Sequence, residues 1–264
     1  MKNGFFLITG TSRGIGEALA QNILKKGGTV LGIARSRSAV LKSTKYHHLT
    51  FDLAEASRLG QIMEKVDEVV DNQRFDFVCL VNNASADKPL GAIEKCPAIE
   101  IESHVKIGLI APIILTSLFI RKFSDARIRK KVAFITGGAA FTALPHESIY
   151  CASKAGITMF AQCVGNEQKE IEYGFEMITI GPGMVDTDMQ QQARSQNKED
   201  YVWVDIAKQV YEKGELQDPG EVAEKIYTIL ENKYDQGQYV KVSEINFRIL
   251  KKMYGEKRGK NEQY

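Results

Sequence analysis

The feature that most limits how this chain can fold lies within its first sixteen residues. The apolar run Phe5-Phe-Leu-Ile-Thr9 passes directly into Gly10-Thr-Ser-Arg-Gly14-Ile-Gly16, and an amphipathic stretch follows. A strand-to-helix turn with glycines at these places has three separate requirements. Gly10 permits the tight turn, Gly14 lets the main chain come close to a phosphate, and Gly16 lets the helix pack against the sheet. The amides at the helix start then point at an anion, aided by the helix dipole. With Ser12, Arg13 and Ile15 filling the turn, the segment reads as a dinucleotide-binding turn that opens a βαβ unit.

The remainder of the chain repeats that opening. Apolar runs predict strands at 5–9, 29–34, 48–51, 77–82, 132–136, 175–180 and 238–242. Apolar positions at three- and four-residue spacing predict helices at 15–26, 53–72, 98–123, 149–172 and 219–232. Such alternation implies right-handed crossovers and a parallel sheet of about seven strands with helices on both faces. The sequence therefore predicts one doubly wound, Rossmann-type α/β domain over residues 1–243. The 264 residues are 44% hydrophobic, enough for a core of that size without disulfides or metals. Two regions break the rhythm. Residues 185–218 are polar and long for a loop, which predicts a binding lid with a helix of its own. Residues 244–264 form a mildly basic tail, read as solvated.

Several function classes are set aside by composition. Thirty-five basic and 33 acidic residues leave a net charge of +2, so nothing marks the chain as a nucleic-acid binder. Cys79, Cys96, Cys151 and Cys163 form no C-x-x-C pair, and no metal-ligand cluster is expected. The apolar part of the N-terminus is too short for a signal peptide; reduced thiols and a cytoplasmic setting are the expectation. The longest charge-free apolar run, 107–120, contains Gly108 and Pro112 and falls short of the roughly 20 residues of a spanning helix. A core or subunit-interface helix is expected there, with no membrane role.

The spacing Thr9-Gly-x-x-x-Gly-x-Gly16, followed by Tyr150-Cys-Ala-Ser-Lys154, resembles the short-chain dehydrogenase/reductase family. Further segments agree in order. Asp52-Leu53 resembles an adenine-contacting pair. Asn82-Asn83-Ala84 resembles the family's Asn-Asn-Ala-Gly, with Ser85 in place of the glycine. Pro182-Gly183-Met-Val185-Asp-Thr187 resembles the segment that holds a nicotinamide carboxamide. The segments around 111–119 and 182–190 look closest to the benzil reductase and sepiapterin reductase-like branch. The resemblance spans about residues 4–243. It implies a nicotinamide cofactor, a small carbonyl substrate, and a homodimer or homotetramer built on helices 98–123 and 149–172.

The second strand ends in Arg35-Ser-Arg37, where an acidic residue would favour a free ribose 2′-hydroxyl. Arginine instead attracts a 2′-phosphate, and Arg13 is expected near the same corner, so NADP(H) is the predicted cofactor. Tyr150 and Lys154 are four apart and share a helix face. The ammonium is expected to lower the tyrosine pKa and make the phenol an acid/base for a carbonyl oxygen. The family's usual serine and asparagine positions are Gly137 and Gly108. The Gly108 carbonyl survives that change, and Pro112, which has no N–H, cannot bond it. The hydroxyl lost at Gly137 would have stabilised oxyanion charge, a donor whose removal costs about 10²–10³ in rate. Thr142, His146 and Ser148 are candidates to approach the gap, His146 foremost. Two readings follow: an NADPH-dependent carbonyl reductase with an incomplete catalytic set, and an NADP(H)-binding protein acting as sensor or scaffold. Met184, Met189, Tyr201, Val202 and Trp203, in or beside the lid, point to an apolar or aromatic substrate.

Overall fold

The computed structural model describes residues 1–71 and 73–242; the basic tail expected at 244–264 lies outside the described residues. Seven strands form one parallel sheet: β1 (Gly4–Thr9), β2 (Thr29–Ala34), β3 (Tyr46–Thr50), β4 (Phe77–Asn82), β5 (Arg129–Ile135), β6 (Glu176–Gly181) and β7 (Gln238–Lys241). Their order is β3-β2-β1-β4-β5-β6-β7, parallel throughout. The order reverses between β1 and β4, which opens a crevice beyond their carboxyl ends.

The strand side chains divide by the two-residue period of an extended chain. Phe5 and Leu7 face one core, and Phe6 and Ile8 face the other. On the first face lie α2 (Gly60–Val70), α4 (Ala111–Lys122) and α5 (Ser148–Gln168), supplying Ile62, Val66, Leu115, Phe119 and Ile157. On the second lie α1 (Gly14–Lys25) and α8 (Pro219–Glu231), supplying Leu19, Ile23, Val222 and Ile226. β1, β2 and β4 read as nearly unbroken apolar runs because both faces are covered; β5 begins at Arg129, before the expected 132, with Lys130 and Lys131 buried.

Three helices differ from expectation. The stretch expected to be helical from residue 53 forms an Asx turn first, the Ala54 N–H donating to Asp52 Oδ1 at 2.9 Å. A 3-10 turn at Ala56–Arg58 follows, and α2 begins only at Gly60. The helix expected at 98–123 is three pieces in one continuous stretch: α3 (Ala98–Val105), a π segment (Lys106–Ile110) and α4. Pro112 has no N–H for the Gly108 carbonyl, and the helix shifts to five-residue pairing, the Ala111 N–H donating to Lys106 O. This stretch, Ala98–Lys122, has the length and hydropathy of a spanning helix; here Ala111, Leu115 and Phe119 are buried against the sheet. The helix expected to run to residue 172 ends with α5 at Gln168, and Tyr173 turns back with φ of 56°.

The lid carries two helices rather than one: α6 (Asp188–Ser195) and α7 (Val204–Glu212). Ala193, Tyr201, Val204 and Ala207 make a small core of their own, with Trp203 packed against it.

Candidate active site

A cavity of about 620 Å³ lies along the carboxyl edge of the sheet, under the lid. Its walls include Gly10, Ser12, Arg13, Gly14 and Ile15 of the first turn, Arg35 after β2, Asp52 and Leu53 after β3, and Asn83 and Ala84 after β4. Tyr150 and Lys154 of α5 complete it, with Pro182, Gly183, Val185 and Thr187 after β6. Sixteen sequence-predicted residues thus converge on one space. Gly16 and Asn82 do not line it and stand behind its wall. A Cβ on Gly16 would lie 2.2 Å from Gly10 O, so its role is close helix packing. Asn82 is buried and directs Nδ2 toward Thr116 Oγ1 at 3.5 Å.

The turn is shaped for a phosphate. Gly10 and Gly14 take φ of 78° and 59°, values open to glycine and costly elsewhere. Asn83 braces the turn from the neighbouring strand: its Nδ2 donates to Thr9 O at 2.9 Å and Gly10 O at 3.3 Å. Thr9 Oγ1 in turn accepts the N–H groups of Asn83 and Ala84, each at 3.0 Å. A Cβ on Gly14 would reach Thr187 Cγ2 at 3.2 Å, so the absent side chain keeps the passage between turn and lid open. These glycine-lined walls and free helix-start amides fit a dinucleotide.

Arg13 is not directed to the corner after β2. Its guanidinium pairs with Asp188 at 2.7 Å and approaches Asp87 at 3.9 Å, joining the glycine turn to the start of α6. Two carboxylates in reach outcompete open solvent for this exposed side chain. Arg35 lines the cavity, whereas Arg37 lies over the ring of Tyr46 at 5.9 Å.

At the other end, Lys154 is buried and its Nζ donates to Ile135 O at 2.9 Å. Burial lowers its pKa from 10.5 to about 8. Its Nζ lies 5.4 Å from the centre of the Tyr150 ring. The expected lowering of the Tyr150 pKa is not found. Burial foremost, then Glu147, Cys151 and Tyr239, pushes the phenol above its ordinary value. The ammonium is turned toward the Ile135 carbonyl and does not offset them.

Gly137 lines the cavity with φ of 154° and ψ of −175°, a conformation that side chains of L-residues rarely adopt. Nothing lies within 4 Å of a Cβ built there. Glycine at this position therefore reflects the backbone path as well as a lost hydroxyl. None of Thr142, His146 and Ser148 lines the cavity. His146 Nδ1 is instead 2.8 Å from Asp200 O in the lid, satisfied by a main-chain partner on the far side of the loop. Met184, Met189, Tyr201 and Trp203 do line the cavity; Val202 is about half exposed outside it.

Two residues escaped the sequence reading. Glu147 lines the cavity, and its carboxylate accepts the Tyr201 O–H. It immediately precedes α5, three residues before Tyr150, a nearness in sequence that was readable. His104 is buried beneath the Tyr150 ring; its position four residues before Gly108 was the only clue.

Comparison with known proteins agrees with this geometry. The sequence profile described as short chain dehydrogenase matches residues 5–198. A benzil reductase ((S)-benzoin forming) of Bacillus cereus is 33% identical over 91% of this chain and 99% of its own length. Sepiapterin reductase of Rattus norvegicus is 27% identical over 89% of this chain and 94% of its own length. A short chain dehydrogenase/reductase structure from Saccharomyces cerevisiae superposes with a TM-score of 0.79 at 22% identity, covering 91% of this chain and 96% of that one. The matched profile takes in the glycine turn, Tyr150 and Lys154, and the chain belongs to the short chain dehydrogenase family of oxidoreductases.

Proposed function

We propose that this protein is an NADPH-dependent reductase that converts a ketone or diketone to an alcohol. The observation that carries the reading is that one continuous cavity joins Arg35 and the glycine turn to Tyr150 and Lys154. When bound, the nicotinamide cofactor supplies the hydride for the carbonyl carbon. Its pyrophosphate would meet the amides after Gly10, and its 2′-phosphate would meet Arg35. Its nicotinamide end would lie against Pro182, Gly183, Val185 and Thr187, with Asp52 and Leu53 at the adenine.

Tyr150 donates its phenolic proton to the carbonyl oxygen. A phenol held above its ordinary pKa stays protonated at neutral pH, the form needed for reduction. Lys154, fixed by Ile135 O, would bond the nicotinamide ribose. With glycine at 137, no side-chain hydroxyl assists the oxyanion there. The second reading, an NADP(H)-binding sensor or scaffold, draws on that loss. NADPH oxidation across a panel of aryl ketones and diketones separates the two. Under the first, Tyr150→Phe lowers turnover by about 10²–10⁴-fold and leaves NADPH affinity within a few-fold. Binding without oxidation of NADPH by any carbonyl selects the second.

Met159 on α5 is 60% exposed and Ile110 beside α4 is 37% exposed. These apolar side chains support a homodimer or homotetramer; light scattering at micromolar concentration that gives a monomer mass rejects it. Four free cysteines support a reducing, cytoplasmic setting.

A further inference from the structure

The cavity carries a fixed carboxylate, Glu147, that has no ion pair among the described residues. Asp87 and Asp188 are engaged by Arg13, and Asp52 accepts an N–H from Ala54. Glu147 has no cation within ion-pair distance among the described residues; one of its oxygens accepts the phenol of Tyr201. The cavity walls also carry the apolar side chains Leu144, Met184, Met189, Trp203 and Ile206. Burial raises its pKa, and the Tyr201 hydrogen bond opposes that only in part. A carboxylate in such surroundings is costly unless a donor or cation meets it. The Tyr201 phenol comes from the buried small core of the lid, so the carboxylate is held in place. Glu100 and Asp52 also line the wall without an ion pair among the described residues, but Glu100 has no side-chain hydrogen bond to fix it, and Asp52 lies after β3, tied to its own Asx turn.

Glu147 immediately precedes α5, three residues before Tyr150; both line the cavity, and the Glu147 charge acts on the Tyr150 phenol. We propose that Glu147 selects the substrate: the site takes carbonyl compounds bearing an amine, or failing that a hydroxyl, a few ångströms from the carbonyl that Tyr150 addresses. The amine or hydroxyl donates to the Glu147 oxygen that Tyr201 leaves free, while the apolar remainder fills the lid side of the cavity. This assignment rests on the carbonyl-reductase reading for turnover but not for binding.

Trp203 is the single tryptophan of the chain and lines the cavity, so its fluorescence reports occupancy without catalysis. Titration of the full-length protein with 3-(aminomethyl)acetophenone and with 3-methylacetophenone compares ligands that differ only in the donor. The aminomethyl ketone should bind about tenfold tighter or more, the scale of one hydrogen bond to a charged group. Glu147→Gln should reduce the preference to about twofold, and Glu100→Gln should leave it intact. Tyr201→Phe, which keeps the carboxylate and removes only its tie to the lid, should retain most of it. Equal binding of the two ketones by the unaltered protein overturns the assignment, as does a preference that survives Glu147→Gln or vanishes in Tyr201→Phe. NADPH oxidation with the same pair tests the other reading separately. A binding preference without turnover retains Glu147 and removes the reductase; turnover without preference does the reverse.

Discussion

His104 meets Tyr150 edge-on, with ring centroids 6.0 Å apart and planes at 87°. Its Nδ1 is 2.7 Å from Lys88 O. A carbonyl only accepts, so Nδ1 carries the proton and Nε2 is left as a bare acceptor, buried without a protein partner. Burial lowers the His104 pKa, which keeps the ring neutral behind the phenol. His104→Ala removes that brace and the loop tie together. We expect a stability loss of about 2–4 kcal/mol and a fall in turnover of at least about tenfold. Chemical denaturation and NADPH oxidation check both, with NADPH affinity unchanged as the sign that the effect stays at Tyr150.

Lys154 makes a prediction in pH. Its folded pKa of about 8 lies below the ordinary 10.5. Between these values the unfolded chain binds more protons than the folded one, so this group's contribution to stability rises with pH across that window. Below pH 8 the full cost of the buried charge stands, about 3 kcal/mol. Lys154→Met should therefore raise the melting temperature at pH 7, flatten the rise between pH 8 and 10.5, and abolish turnover. Melting curves at several pH values decide it; a destabilised Lys154→Met at pH 7 contradicts it.

Gly137→Ser does not restore a donor by simple addition. The pocket has room for the side chain, but φ of 154° is strained for serine by about 1–3 kcal/mol. Gly137→Ala should lose that stability, and Gly137→Ser should lose it equally with no gain in ketone turnover. Parallel thermal melts and rate measurements on the two variants test this; a serine variant faster than the parent shows that the backbone relaxes.

Cofactor preference should reside in Arg35. Arg35→Asp should erase or reverse a preference for NADPH over NADH. Arg13→Ala should change that ratio less, because its guanidinium is held by Asp188 and Asp87. Affinity titrations with both cofactors give the ratios directly, and an Arg13 effect equal to that of Arg35 would refute this division.

What the sequence made legible were features settled by local or periodic rules. β1, β2 and β4, buried on both faces, could be read because their runs are nearly all apolar; β5 was placed three residues late, because it opens with Lys130 and Lys131, buried with Nζ on the carbonyls of Phe123 and Asn232. β3, at the sheet edge, mixes Tyr46, His47 and His48 with Leu49, and its start was placed two residues late. The turn glycines were readable because each answers to a backbone requirement. Contacts between distant segments were not: Arg13 with Asp188, or His146 with Asp200, depend on where the lid settles. The π segment was half visible, since Pro112 announced a lost hydrogen bond but not how the helix would absorb it.

Three successive residues before Tyr150 each hold the lid. Pro145 O accepts the Trp203 indole N–H at 2.7 Å, His146 Nδ1 lies 2.8 Å from Asp200 O, and the Glu147 carboxylate accepts the Tyr201 phenol. Besides its tie from Asp188 to Arg13, the lid is thus fastened to the chain that leads into Tyr150. It is consequently not an exchangeable module. A lid transplanted from a relative, without the matching residues 145–147, would lose these three ties, and the setting of Tyr150 would change along with the walls of the cavity.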